Sequence, residues 1–260
     1  METALPPSLR VERDGPVAIL TLARSEKRNA ISDTMVRGIE DFFRNLEPTV
    51  RVVVLAADGD HFSAGLDLSE MAERSSFEGV AHSQMWHRAF REIEQAPVPV
   101  IAALRGAVVG GGLELAATAH IRVAEQSTFY ALPEGQRGLF VGGGASMRIP
   151  RLIGVSRMMD MMLTGRRYSG DEGERIGLNQ YLVEDGTGLS VAMDLARRVA
   201  ENPPQTNFAV TQALPLIAEA NPREGSMMES LVAALAQGTD DAKSRMSDFL
   251  SGRSAKVARP

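Results

Sequence analysis

Two segments constrain this chain more than any others: "VRVVVLAADG" (50–59) and "VPVIAALRG" (98–106). Each is a continuous apolar run rich in β-branched residues. A strand with one solvated face alternates in polarity, whereas an unbroken run reads as a strand covered on both faces, the habit of parallel sheets flanked by helices. Between the two lies a helical stretch near residues 76–95, and other strand and helix signals surround them. The order strand, helix, strand, helix, strand argues an α/β core.

The flanking signals agree. "LRVERDGPVAILTLAR" alternates on both sides of Asp14-Gly15, which predicts a hairpin. "SDTMVRGIEDFFRNLEP" predicts a helix: Ser32 caps it, Met35, Ile39, Phe42, Phe43 and Leu46 recur at helical steps, and Pro48 ends it. "HIRVAE" and "TFYAL" are shorter strand candidates. Beyond residue 143 the sequence reads mostly helical, with a capping box at Ser169 and Glu172 and a C-cap at Gly177. Residues 205–251 predict two or three amphipathic helices. The expected division is an α/β body over residues 1–190 and a helical region over 191–260. The apolar residues of that region, Leu214, Leu216, Ile217, Leu231, Ala234 and Leu235, are expected to pack on the body or on a neighbouring subunit. The basic end "SGRSAKVARP" is expected to fray or to lie at an interface.

Composition narrows the function. The 260 residues carry a net charge of −5, which gives no support for nucleic-acid binding. Cysteine is absent, which excludes disulfides, zinc–thiolate sites and cysteine nucleophiles. The four histidines, His61, His82, His87 and His120, show no metal-ligand spacing. The N-terminal residues have no basic region followed by an apolar core, and no apolar run approaches the roughly 18 residues of a membrane span. A cytoplasmic location is the expectation.

Both buried strands lead into glycine-bearing loops, "DGDHFSAGLDL" and "GAVVGGGLEL". In open α/β sheets ligands lie beyond the carboxyl ends of the strands. Glycine lets backbone approach a ligand, and a helix start offers unsatisfied N–H groups. Two converging N–H groups would make an oxyanion hole; the same "GGG" would also serve a tight turn and helix start. Glu114 stands among apolar neighbours in "GGGLELAATA", and Glu134 stands in the loop "LPEGQRG". Two carboxyls around one water are a workable acid–base unit if their pKa values are held apart. Glu134 taken alone also reads as a surface acid.

The motifs "KRNAIS" (27–32), "FSAGLDL" (62–68), "GAVVGGGLELAATA" (106–119), "LPEGQRGLFVGGGASMRIPRLIG" (132–154) and "LTGRRYSGDEGERIGLNQYLV" (163–183) resemble, in order and spacing, the enoyl-CoA hydratase/isomerase family, the crotonases. The resemblance covers nearly the whole chain. It implies a crotonase-like ββα spiral core with a C-terminal helical trimerisation region, and a homotrimer or homohexamer. It implies that the N–H groups of Leu66 and Gly111 form the oxyanion hole and that Glu114 and Glu134 are the catalytic pair. Lys27, Arg28, Ala30, Ala64, Leu66, Asp67, Leu68 and Gly111 would line the path of the CoA thioester, largely through backbone atoms. Lys27 and Arg28 either neighbour its phosphates or are solvated basic residues at a strand exit. Glycine stands at 142, where some dienoyl-CoA isomerases of the family carry aspartate. The implied reaction is addition of water to a 2-enoyl-CoA, giving a 3-hydroxyacyl-CoA. No metal or other cofactor is implied, since CoA arrives with the substrate. Isomerisation, dehydration or lyase chemistry on an acyl-CoA, and acyl-CoA binding without catalysis, are the alternatives.

The chain departs from the family beside its second glutamate, with Gly135, Gln136 and Arg137 in place of apolar residues and Phe140-Val141 and Ala145-Ser146 further on. These departures bear on the acyl group accepted. Arg137 either pairs with Glu134 or faces solvent. The run Met158, Met159, Met161, Met162 reads as core rather than acyl pocket, because methionine fills irregular interiors. Trp86 and His87 lie on a helix that shapes the acyl end or simply packs.

Overall fold

A computed structural model of the chain describes residues 5–70 and 75–253. Most of the basic end lies outside them. The chain forms two compact units, residues 1–198 and residues 199–260.

In the first unit, β1 (Leu9–Asp14) and β2 (Val17–Leu22) form the hairpin, with Asp14 opposite Val17 and Gly15 at φ +55° in the two-residue turn. Helix α1 (Asp33–Arg44) starts on Ser32, whose hydroxyl accepts the Met35 N–H. It ends at Asn45, ahead of Pro48, where the Asn45 amide caps the Asp41 carbonyl. Strand β3 (Val52–Ala57) is buried along its whole length, as is β4 (Val100–Leu104), with α2 (Ser76–Glu94) between them. The interior they share with α1 is aliphatic and aromatic, including Leu20, Leu55, Ile39, Phe62 and Phe90.

After β4 the structure differs from the sequence reading. "GAVVGGG" is not one loop. Gly106, at φ +50°, turns the chain where any Cβ would run into the Asp60 carbonyl and the His61 ring. A short strand β5 (Ala107–Val109) then pairs in parallel with β7 (Phe129–Ala131) in a second sheet. Helix α3 (Gly111–Ala116) and β6 (Ile121–Glu125) lie between these strands in sequence. Helices α4 (Ala145–Ile153) and α5 (Val155–Thr164) follow. Strand β8 (Tyr168–Ser169), α6 (Gly170–Ile176), capped as read, β9 (Tyr181–Val183) and α7 (Gly188–Ala200) complete the order. The large sheet runs β1-β2-β3-β4-β6-β9, parallel except for the hairpin, and the small one β5-β7-β8. The expected body–tail boundary at 190/191 falls inside α7.

The second unit contains α8 (Pro204–Phe208), a π-helical turn over Ala209–Ala213, α9 (Leu214–Glu219), α10 (Pro222–Gln237) and α11 (Asp240–Leu250). Leu214, Leu216, Leu231 and Leu235 are exposed in the single chain. Among the described residues no helix is long and apolar enough to cross a membrane.

Candidate active site

The site grows from two stretches of backbone laid side by side. The first begins with a turn in which Arg28 and Asn29 both hold φ near +52°. That strain is held by Asn29, whose buried amide donates to the Asp58 and His61 carbonyls and accepts the Arg24 N–H. The Ser63 hydroxyl donates to the Asn29 carbonyl and accepts the Gly65 N–H. Ile31 N–H donates to Gly65 O and Asp67 N–H to Ile31 O, which brackets Leu66 and leaves its N–H uncommitted among the described residues. The Ser63 N–H donates to the Ala107 carbonyl and the Val109 N–H to the Ser63 carbonyl, so this loop is stitched to β5.

The second stretch leaves β5 at Gly110, which holds φ +52°. A Cβ there would lie 2.6 Å from Glu134 Oε1. Gly111 opens α3, where the first N–H groups have no partner within the helix. A Cβ on Gly111 would lie 3.4 Å from the Leu66 nitrogen and 3.0 Å from Trp86, so the two unpaired amides are close neighbours under the indole. Gly112 is fenced by Ser63, 2.7 Å from where its Cβ would stand. The three glycines thus answer to three different neighbours.

Glu114, one turn into α3, is buried, and its Oε1 accepts the N–H groups of Gly143 and Ala145 at 2.8 and 3.0 Å. Burial raises its pKa above the ordinary carboxyl value; the amides and the Arg148 guanidinium pull the other way. Glu134 follows β7. Burial raises its pKa too, and the charge of Glu114 adds to the rise, while Arg137 opposes it. Its Oε2 is buried and makes no hydrogen bond among the described residues. Both carboxyls line one cavity of about 410 Å³, together with Leu66 and Gly111.

Raised pKa values mean that burial of the charged carboxylate opposes folding at neutral pH. The native state binds its proton more tightly than the unfolded chain, so this contribution favours folding at acid pH and is lost as pH rises through the native pKa. Glu114→Gln is therefore expected to melt above the parent near pH 8 and to lose that advantage towards pH 4, with each unit of pKa difference worth about 1.4 kcal/mol. Thermal melts of both proteins across that range check it.

Of the other residues read from sequence, Ala64 and Leu68 line the cavity, whereas Lys27, Arg28, Ala30 and Asp67 do not. The Asp67 carboxylate is committed to structure: it is buried, accepts from Arg24 at 2.6 Å and from Ser69, and its pKa falls to about 2 through the Ser69 and Arg24 hydrogen bonds. Lys27 sits 3.7 Å from it. Arg137 is exposed and lines the cavity; its charge reaches Glu134 through space. Gly135, one of the departures, has a physical reason: a Cβ there would strike the Met162 carbonyl. Met158 and Met161 are buried core and Met162 packs against it. Trp86 both packs in the core and lines the cavity, while His87 does not reach it.

The sequence reading passed over His82 and Ser83, one turn before Trp86. Both line the cavity; His82 Nε2 lies 2.6 Å from Asp33, and the Ser83 hydroxyl donates to the Gly142 carbonyl. The polar pattern "HSQMWH" on a half-buried helix was the available signal. Among the described residues no group of three or more histidines and acids is gathered to hold a metal ion.

Comparison with known proteins matches residues 12–257 to the profile described as enoyl-CoA hydratase/isomerase. The chain is 29% identical over 246 residues to a short-chain-enoyl-CoA hydratase of Clostridium acetobutylicum, covering 94% of each. It is 30% identical over 221 residues to the enoyl-CoA isomerase/hydratase fer4 of Mycosarcoma maydis, covering 81% of each. A crystal structure from Rhodopseudomonas palustris CGA009, of a protein provisionally described as an enoyl-CoA hydratase, is 56% identical and superposes with a TM-score of 0.94 over 99% of this chain and 100% of that one.

Proposed function

Because this chain belongs to the enoyl-CoA hydratase/isomerase family, we propose that its cavity adds water across the double bond of a 2-enoyl-CoA to give the 3-hydroxyacyl-CoA. The observation that carries this reading is that two carboxyls of raised pKa, Glu114 and Glu134, line one cavity with the free amides of Leu66 and Gly111.

The environments divide the labour. Two amide hydrogen bonds favour the charged form of Glu114, which makes it the base that takes a proton from water. Glu134, desolvated, beside Glu114 and without a donor on Oε2, holds its proton and acts as the acid. As the water oxygen bonds to C3, the double-bond electrons move to C2 and into the thioester carbonyl, whose oxygen gains charge against the Leu66 and Gly111 N–H groups. Glu134 then protonates C2. Hydroxyl and hydrogen come from water and the acid pair, so the step balances without a separate cofactor. The turn at Lys27–Ala30 and the loop at Ala64–Leu68 would carry the CoA portion to the cavity, with Lys27 and Arg28 near its phosphates. The exposed leucines of α9 and α10 are the face offered for trimer or hexamer contacts, tested by particle mass as described below.

The experiment is a panel of short, long, branched and aromatic enoyl-CoA thioesters, followed by loss of the conjugated absorbance. No absorbance loss with any of them, in an intact protein, would sink the hydration reading. The same panel tests Arg137. Arg137→Leu makes that part of the cavity apolar, and is expected to move preference towards longer apolar chains. Unchanged preference and pH profile would place Arg137 outside substrate recognition.

A further inference from the structure

Arg148, in the first turn of α4, is 5% exposed and is not among the residues that line the cavity. Its Nε and Nη2 donate to the two carboxylate oxygens of Glu94, the last residue of α2, each at 2.7 Å. Its Nη1 donates to the Gly143 carbonyl, also at 2.7 Å. That carbonyl belongs to the same three-residue turn whose Gly143 and Ala145 amides hold Glu114. The turn has no slack on either side. A Cβ on Gly143 would lie 3.0 Å from Glu114 Oε2, and one on Gly144, at φ +107°, would run into the Arg148 guanidinium. The amides that grip Glu114 are thus clamped from behind by a bidentate, charge-assisted pair.

We propose that Arg148, anchored by Glu94, is a positioning residue for Glu114, fixing the Gly143–Ala145 turn so that both amides meet one carboxylate oxygen. This rests on the role given to Glu114 above. Because clamp and anchor are charged, they also act on Glu114 through space. The charges facing this cluster include Glu114 from α3, Glu134 and through it Arg137 from the segment after β7, His87, Arg91 and Glu94 from α2, His120 against Glu94 just before β6, and Arg122 of β6 against His120. Arg148 favours the Glu114 carboxylate; Glu94 offsets Arg148.

The test is an infrared difference titration of the Glu114 carboxyl in the whole protein, identified by its absence in Glu114→Gln, alongside kcat on the best enoyl thioester. Arg148→Gln removes the charge and loosens the clamp. It is expected to move the Glu114 midpoint upward and lower kcat about 10- to 100-fold, the scale of a misplacement near 1 Å. Arg148→Lys, which keeps the charge, is expected to hold the midpoint near that of the parent. Glu94→Gln leaves Arg148 less compensated and is expected to move the midpoint downward. Loss of packing alone would not move the two midpoints in opposite directions. Midpoints that stay put in both variants, or move the same way, overturn the proposal. If Arg148→Gln does not fold, Glu94→Gln decides alone: its side chain is 37% exposed, and an unmoved or raised midpoint refutes the idea. Opposite shifts with kcat unchanged in Arg148→Gln would show a charge effect without positioning and overturn the proposal; opposite shifts in a protein that hydrates no enoyl thioester would uphold the coupling of this clamp to Glu114 and defeat the hydration reading.

Discussion

Glutamine in place of Glu114 or Glu134, the proposed acid–base pair, is expected to lower hydration of the best enoyl-CoA about 10²- to 10⁴-fold, the usual weight of a general acid or base. Glutamine keeps the shape and removes the titratable proton. Glu114→Gln can still accept the Gly143 and Ala145 N–H groups at its carbonyl oxygen, so the loss belongs to the base and not to a collapsed turn. The double variant is expected to lose much less than the product of the two single losses, because both groups act on one addition. The pH profiles separate the roles. In the proposed mechanism activity needs Glu114 ionised and Glu134 protonated, which would make a bell whose limbs belong to the coupled pair. The residual activity of Glu114→Gln is expected to lose the acid limb, and that of Glu134→Gln the alkaline one. Steady-state kcat/KM against pH measures this. Near-full activity in either variant would remove that glutamate from the mechanism and raise the isomerase or lyase alternatives.

The second large effect concerns the backbone. Gly111→Ala keeps the N–H but brings a Cβ to 3.0 Å from Trp86, which must give by a few tenths of an ångström. Gly111→Pro brings the same Cβ and deletes the donor as well, at a helix position where proline is tolerated. Comparing the two isolates the N–H. The proline variant is expected to fall a further 10²- to 10³-fold or so in kcat below the alanine variant, about 3 kcal/mol, the weight of one oxyanion donor. CoA binding is expected to survive in both. Leu66→Ala, which retains its N–H, is expected to stay within about tenfold of the parent. Melting and light scattering establish that the variants are intact, and the particle mass also reads whether the α9–α10 face holds copies together. Equal turnover in the alanine and proline variants would remove the Gly111 amide from the oxyanion hole.

Much of the frame was legible because it depends on local pattern. The unbroken runs at 52–57 and 100–104 became fully buried strands, Ser32 became an N-cap, and Ser169 with Glu172 closed a capping box. Of the second sheet only "TFYAL", which became β7, was legible, and its pairing was not. The strands of this sheet are two or three residues long, and Ala107–Val109 pairs with Phe129–Ala131 across a helix and another strand, so nothing local marks the pairing. The glutamates were a workable acid–base pair from the residues alone and were singled out from the other acids by the family resemblance, since a buried acid and a loop acid have no spacing of their own. Asp67 was read as ligand-facing because its motif is, whereas its Arg24 partner lies 43 positions away. Arg148 was invisible for the same reason: its partner Glu94 is 54 positions distant.

The segment from Leu139 to Ala145 serves two masters. Leu139, Phe140, Val141 and Gly142 shape the cavity wall, and the next residues hold Glu114, the proposed base. Mutations that retune acyl preference from this side would be pleiotropic, since any backbone shift they cause reaches Glu114 within a residue or two. On α2 the ties to that turn come later in the helix, from Ser83 to the Gly142 carbonyl and from Glu94 to Arg148. Gly79 lines the same cavity with open space where a side chain would go. A library seeking new substrates, or a lineage drifting towards one, has its freer path through Gly79 near the start of α2, ahead of the Ser83 and Glu94 ties to the turn that holds Glu114.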